Sequence, residues 1–323
     1  MALGGALGSG LFLGSGLAIE TAGPSILFVY AFIGLFTFLV MRAMGEILLS
    51  NLSYKSFADF TNDIVGSGAG FYVGWTYWTV WVIIAISDVV AITVYLDVWF
   101  PDVPKWIPAL CIIVLLTGVN LVAAKAFGEI EFWFATIKIA TVVALIVVGI
   151  VLVLTHFQPD GHGPASISNL WSYGGLFPHG FSGLLGGFQL GVFSFLGVEL
   201  AGTVAAETED PKKNLPRAIN SIPARIILFY LGSLALIMMV QPWDTITSST
   251  SPFVQIFGYI GIPIAFHLIN FVMLTAAASS ANSGIFSTSR IMWGLAKEDQ
   301  GPAIFGHLTA SRIPIRVNYQ SLP

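Results

Sequence analysis

The stretch Ala2-Leu-Gly-Gly-Ala-Leu-Gly-Ser-Gly-Leu-Phe-Leu-Gly-Ser-Gly16 is apolar along its length, yet six of its fifteen residues are glycine. A membrane-spanning helix needs about 20 mostly apolar residues, whereas each glycine in a helix costs about 1 kcal/mol relative to alanine. A packing face of small residues explains only one of Gly8 and Gly10, because positions two apart point to different sides of a helix. We therefore expect the helix to be interrupted at Gly8-Ser9-Gly10, where free amide N–H groups favour an anion.

The composition of the whole chain places this stretch in a membrane. Of the 323 residues 56% are apolar and only 9% are charged, whereas soluble domains have ~25% charged residues. This deficit excludes a soluble globular enzyme and a disordered chain, and no basic face for nucleic acid exists. The single cysteine, Cys111, lies in an apolar run and is expected to be a small packing residue. We expect no metal site and no cofactor.

Eight stretches are long and apolar enough to be membrane helices. They cover residues 2–21, 24–50, 68–99, 106–125, 130–155, 182–205, 221–241 and 261–295. None shows the alternating pattern of a barrel strand. The sequence therefore predicts an all-α integral membrane protein, in contact with the lipid bilayer, with one transmembrane domain over residues 1–323.

The distribution of basic residues predicts the orientation, because cytoplasmic loops carry an excess of Lys and Arg. With a cytoplasmic N-terminus, Lys105 lies outside, Lys138 lies within a span, and the rest of the 13 basic residues lie at cytoplasmic ends or loops. These others are Arg42, Lys55, Lys125, Lys212, Lys213, Arg217, Arg225, Arg290, Lys297, Arg312 and Arg316. We expect a multi-pass protein whose loop 156–180 faces the outside.

A second interruption is expected in the sixth span. There a glycine and a carboxylate adjoin at mid-span, in Phe193-Ser-Phe-Leu-Gly-Val-Glu199. In transporters built from two inverted five-helix repeats, discontinuous helices at corresponding positions of the two halves form the substrate site. Spans one and six occupy such positions, so the pattern favours a secondary transporter.

Ionisable residues inside the spans are the remaining functional candidates, because each costs roughly 2.5–3.5 kcal/mol at a helix centre. Arg42 and Glu46 have i,i+4 spacing near the cytoplasmic face and fit a structural ion pair. Asp88 fits a structural bridge to nearby hydroxyls and a functional acid equally well. Lys138 has no acidic residue within one helical turn, and burial favours its neutral form, which suits a residue that gains and loses a proton.

Seven motifs and one loop carry a family resemblance. The motifs are Gly4-Gly-Ala-Leu-Gly-Ser-Gly-Leu-Phe12, Ala22-Gly-Pro-Ser25, Met41-Arg-Ala-Met-Gly-Glu46, Gly74-Trp-Thr-Tyr-Trp78, Gly128-Glu-Ile-Glu-Phe-Trp-Phe134, Phe195-Leu-Gly-Val-Glu199 and Asn282-Ser-Gly-Ile-Phe-Ser-Thr-Ser-Arg290. At these residues the chain resembles the amino acid–polyamine–organocation (APC) superfamily, in its bacterial amino acid permease branch. The loop 205–223 resembles that of permeases for D-serine, D-alanine and glycine.

The resemblance implies a five-plus-five inverted-repeat transporter bundle in which helices 1 and 6 are discontinuous. Eight of the usual twelve helices are present, so we expect the chain to be C-terminally incomplete. The implied activity is secondary active import of a small neutral amino acid, D-alanine, D-serine or glycine, by H⁺ symport through the inner membrane. An enzyme is not expected.

The resemblance also implies a substrate site. Its residues are Gly8, Ser9, Gly10, Phe193, Phe195, Leu196 and Gly197. In the family the Gly-Ser-Gly turn holds the substrate carboxylate, and the unwound backbone of the sixth helix takes the amino group. Phe193 is the aligned aromatic cover, with Phe195 as second candidate.

The same resemblance implies two residues for proton coupling and gating. Lys138 matches a lysine that occupies the place of a sodium ion in some relatives, and Glu199 matches a gate or proton-linked acid. The implied coupling ion is H⁺. Arg42, Glu46 and Asp88 remain possible structural or accessory charges.

Two alternatives stay open at this point. One is a truncated, non-transporting permease fragment that acts as a membrane-bound amino acid binding or scaffold protein. The other is a relative of the cation–chloride cotransporters, which share the fold class, although the Gly-Ser-Gly and Phe-Leu-Gly-Val-Glu motifs fit amino acids better.

Overall fold

The computed structural model describes residues 8–51, 54, 57–122, 127–158, 163–199, 210–259 and 263–307, and every regular element in these ranges is helical. The α-helices are α1 (Ser9–Phe12), α2 (Gly14–Ala22), α3 (Ile26–Ser50), α4 (Phe57–Ile64), α5 (Ser67–Asp97), α6 (Trp106–Val122), α7 (Phe127–Leu154), α8 (Gly180–Phe195), α9 (Pro211–Asn220), α10 (Ile222–Arg225), α11 (Ser233–Val240), α12 (Pro252–Tyr259) and α13 (Pro263–Lys297). A π-helical segment, Ile226–Gly232, joins α10 to α11.

Each predicted span overlaps a helix, but not every helix is long and apolar enough to cross a membrane. Within the described ranges, five helical stretches are long and apolar enough: Gly14–Ser50, Ser67–Asp97, Phe132–Leu154, Lys212–Val240 and Ile264–Lys297. Trp106–Asn120 and Gly180–Phe195 are apolar but shorter. The predicted span portions 2–7, 123–125, 200–205 and 261–262, and the basic residues Lys55, Lys125, Arg312 and Arg316, lie outside the described residues.

The outer faces of the helices are apolar, as a lipid environment requires. On α3, the side chains of Phe32 and Phe36 are about half exposed, whereas Ile26, Val29 and Tyr30 on the opposite side are fully buried. Soluble proteins rarely expose large contiguous apolar patches. The chain is therefore a multi-pass membrane protein, and Asp88 and Lys138 are buried inside the bundle.

A turn at Gly23 separates α2 from α3. Gly23 has φ of +59°, which side chains with a Cβ rarely adopt. A Cβ there would also lie 2.5 Å from Cγ of Pro178. Pro24, with its fixed φ, follows in the short 3₁₀ segment Gly23–Ser25. The first apolar stretches thus form separate helices, α2 and α3.

A column of glycines brings α8 close to α2 and α3. Gly187 and Gly191 lie on one face of α8, and a Cβ at each would be 2.9 Å from a neighbour, Ala22 and Ile33 respectively. Small residues permit such close approach of membrane helices. Because α1 also contacts α5, α8 and α13, this packing places α1 at the centre of the described bundle.

Candidate functional site

A small cavity lies where α1, α5, α8 and α13 meet. Its volume is about 10 Å³, room for about one water-sized sphere. Its lining consists of Gly8, Ser9, Gly10, Ile84, Asp88, Phe193, Ser194, Leu196 and Ser280. The structure thus brings both sequence segments that were expected to be interrupted to one cavity.

The first segment differs in detail from the expectation. Gly8 is extended, with φ −111° and ψ −163°, and α1 begins directly after it at Ser9. Ser9 and Gly10 are therefore helical, and within the described residues the helix is broken again at Leu13, between α1 and α2. The backbone N–H of Ser9 donates to Oδ1 of Asp88 over 3.3 Å. The first amide of α1 consequently faces a carboxylate of the chain itself.

Gly10 has a steric role that the sequence did not indicate. A Cβ on Gly10 would lie 2.8 Å from the backbone oxygen of Phe193 and 3.0 Å from Cα of Ser194. Both contacts involve α8 backbone, which cannot move aside as a flexible side chain can. Gly10 therefore lets α1 touch the last turn of α8.

Ser194 fixes this contact, although the sequence analysis did not single it out. Its Oγ donates to the carbonyl oxygen of Gly10 over 2.8 Å and lies 2.7 Å from Oη of Tyr30 on α3. Buried hydroxyls are expected to be hydrogen-bonded. A serine between two phenylalanines in an apolar span therefore indicates a hydrogen bond to another helix, and this is how the sequence could have identified Ser194. It connects three helices at the edge of the cavity.

The chain turns immediately after α8. Leu196 is extended with ψ of 139°, and Gly197 has φ of +97°, a conformation that glycine adopts without strain. The Gly197 N–H donates to Oε2 of Glu199 over 2.8 Å, and Oη of Tyr77 on α5 donates to Oε1 over 3.4 Å. The Glu199 carboxylate thus closes the turn and joins it to α5.

The two aromatic candidates have different environments. Phe193 lines the cavity. Phe195 points into the core, where its ring stacks on Tyr230 at 4.6 Å and meets Tyr30 edge-on at 5.4 Å. In this structure Phe195 therefore contacts the core and not the cavity, and Gly197 also lies outside the cavity lining.

Lys138 is buried between helices rather than isolated. Its side chain on α7 is 1% exposed, and Nζ donates to Oγ of Ser279 on α13 over 3.0 Å. Its positive charge also acts on Asp88. The sequence analysis looked for an acidic residue only within the helix of Lys138. The acidic neighbour, Asp88, lies on α5.

Arg42 and Glu46 form the ion pair that their spacing predicted. Arg42 Nε lies 3.6 Å from Glu46 Oε1, and the two side chains are 59% and 73% exposed. Exposed pairs contribute roughly 0–1 kcal/mol. Neither residue lines the cavity, so both are peripheral to it.

A second and larger cavity, of about 330 Å³, lies between the end of α5 and the start of α6. Its lining is mostly apolar and contains the ion pair of Lys105 and Asp97, whose nitrogen and oxygen are 3.7 Å apart. Cys111 also lines it and is exposed. The expectation that Cys111 is a packing residue was wrong, because its side chain is exposed at the cavity between α5 and α6.

Comparison with known proteins gives a consistent result. Residues 1–319 match the family model described as Amino acid permease. Over 98% of its length the chain is 56% identical to the D-serine/D-alanine/glycine transporter of Escherichia coli strain K12. It is 52% identical to the amino-acid permease AapA of Bacillus subtilis and 42% identical to the aromatic amino acid transport protein AroP of Escherichia coli O6:H1, over 97% and 98% of its length. The chain spans 67%, 68% and 68% of these three relatives, respectively.

Proposed function

This chain belongs to the amino acid permease family, and on that premise we propose that it imports a small neutral amino acid by H⁺ symport. D-alanine, D-serine and glycine are the proposed substrates, since a relative with 56% identity is described as a transporter of these three. The observation that carries the proposal is the convergence of Gly8–Gly10 and Phe193–Leu196 on one buried cavity.

The cavity lining supports a defined pose for the substrate. The substrate carboxylate lies against the backbone N–H groups of Ser9 and Gly10. The ammonium group lies against carbonyl oxygens at the end of α8, because the last carbonyls of a helix have no partner within it. Phe193 covers the substrate from the α8 side. Leu196 completes the apolar wall.

The size of the cavity supports a small substrate. It has room for about one water-sized sphere, so binding of an amino acid requires the lining side chains of Phe193, Leu196 and Ile84 to move. A substrate side chain of one hydrogen, a methyl or a hydroxymethyl group needs the least displacement. A large aromatic substrate would have to separate α1 from α8.

Lys138 and Glu199 are the proposed proton-coupling and gating residues. Protonated Lys138 ties α7 to α13 through Ser279, and loss of the proton weakens this tie. Protonation of Glu199 weakens the acceptor at the Gly197 N–H, which loosens the turn after α8. Both changes act on helices that border the cavity or pack beside it.

The proposed location is the cell inner membrane with the N-terminus in the cytoplasm. The bias of basic residues toward one side supports this orientation. Cysteines introduced singly into a Cys111→Ser background test it. An impermeant thiol reagent added to intact cells should label position 168 and should not label position 213, whereas the opposite result contradicts the orientation.

Uptake into proteoliposomes tests the transport proposal. With an acidic exterior, vesicles containing the chain should accumulate radiolabelled glycine and D-alanine, and a protonophore should abolish the accumulation. Replacement of sodium by choline should change nothing. Accumulation that requires sodium would contradict H⁺ coupling, and the absence of any uptake or exchange would contradict transport.

A further inference from the structure

Asp88 is the ionisable side chain in the lining of the small cavity. It is 0% exposed, and its Oδ1 accepts the Ser9 N–H. Its Oδ2 is also buried and has no hydrogen-bond partner among the described residues. An unpaired buried carboxylate oxygen is costly. The arrangement is therefore suited to a further partner that arrives with a ligand.

We propose that Asp88 takes up a proton when the substrate carboxylate enters, in addition to the coupling and gating roles proposed for Lys138 and Glu199. This inference rests on the proposed function, in which the substrate carboxylate lies at Ser9 and Gly10. Asp88 already occupies the Ser9 N–H in the same cavity. Two carboxylates that share one site do not both remain ionised.

Protonation resolves this conflict with balanced charge and hydrogen bonding. A proton from the external solution binds the Asp88 carboxylate, which changes from an acceptor into an O–H donor. The Ser9 N–H becomes available to the substrate carboxylate, and the Asp88 O–H donates to the same carboxylate. No covalent bond forms or breaks apart from the O–H bond. The substrate and the proton therefore bind together and leave together, as symport requires.

The surroundings of Asp88 contain few other groups that could take this role. The charged group that acts on it is Lys138 of α7, and Tyr95 is the titratable neighbour on its own helix α5. Helices α1 and α13 present the hydroxyls of Ser9 and Ser280. Of these titratable groups only Asp88 lines the cavity, so its carboxylate is the group that can share a proton with the substrate carboxylate.

Calorimetry of glycine binding to the purified chain tests this inference. Measured in two buffers that differ in ionisation enthalpy, the wild type should take up about one proton per glycine at alkaline pH, and its Kd should rise about tenfold per pH unit there. Asp88→Asn preserves the shape and the acceptor for the Ser9 N–H but has no titratable carboxyl. It should bind glycine with no proton uptake and with a Kd independent of pH.

Asp97→Asn is the matched control, because it makes the same change on the same helix at an exposed position far from the cavity. It should retain the wild-type proton count. Proton uptake that persists in Asp88→Asn, or that is absent in the wild type, would overturn the inference and leave the transport proposal standing. Failure of the wild type to bind or exchange any proposed substrate would overturn both.

Infrared difference spectroscopy keeps the test decisive if Asp88→Asn does not fold. Glycine should induce the band of a protonated carboxyl group in the wild type, which proton binding to a lysine does not produce. The band should shift in Asp88→Glu, which keeps a carboxyl group at this position, and should be unchanged in Asp97→Asn. A band that is unchanged in Asp88→Glu would overturn the assignment to Asp88.

Discussion

The two cavities described in this protein differ in size and in chemistry. Size favours one of them as the substrate site, whereas chemistry favours the other. The cavity between α5 and α6 measures about 330 Å³ but is almost wholly apolar. The cavity at α1 measures about 10 Å³ but contains backbone amides, a buried carboxylate and two helix ends. An amino acid needs partners for both of its charges. The proposed site is therefore the small cavity, which is chosen for its chemistry and not for its volume.

The strongest test of this comparison is Gly10→Ala. Alanine gains up to about 1 kcal/mol of helix propensity, but its Cβ would lie 2.8 Å from the Phe193 backbone oxygen, so α1 must move away from α8. We expect glycine binding to weaken by at least tenfold, measured by calorimetry.

Gly14→Ala is the matched control within the same glycine-rich stretch. Its Cβ would meet no atom closer than 3.7 Å, an ordinary contact distance. Binding should remain within about twofold of the wild type. Equal effects of the two substitutions would show that the contact with α8 is not what matters at Gly10.

Lys138→Ala gives the second largest expected effect. It removes the hydrogen bond to Ser279 and the cation beside Asp88, so uptake driven by a pH gradient should fall at least tenfold while glycine binding persists. The readout is uptake against external pH in proteoliposomes. Lys105→Ala removes an exposed lysine of the large cavity and should leave the profile unchanged. A wild-type profile in Lys138→Ala would remove Lys138 from the coupling mechanism.

The smallest effects are expected in the large cavity. Cys111→Ser and Asp97→Asn alter its lining, and loss of the exposed Asp97–Lys105 pair should cost at most about 1 kcal/mol of stability. Uptake of glycine should stay within about twofold of the wild type for both variants. A large loss of uptake from either would contradict the choice of the small cavity.

The sequence predicted the helices well because apolar length is a local property. It also selected Gly8, Ser9, Gly10, Phe193 and Leu196, which line one cavity in the structure. The remaining features depend on partners distant in the chain. Asp88 meets Ser9 from 79 residues away, so neither its bond nor its free oxygen could be derived from the pattern of α5.

Phe195 is a second residue whose environment could not be predicted from the sequence. The resemblance ranked Phe193 first and Phe195 second as the aromatic cover, but the motif alone does not show that their side chains lie in different environments. Phe195 is held by Tyr30 and Tyr230, which come from two other helical segments. Side-chain direction at a helix end depends on these tertiary contacts, which no spacing rule contains.

An experimental structure of the chain with D-alanine bound tests the central claim most directly. It should show the ligand between α1 and the turn after α8, with its carboxylate within hydrogen-bond distance of both the Ser9 N–H and Asp88, and with Phe193 displaced to make room. A ligand seated between α5 and α6, with the Ser9–Asp88 bond unchanged, would contradict both the site and the mechanism.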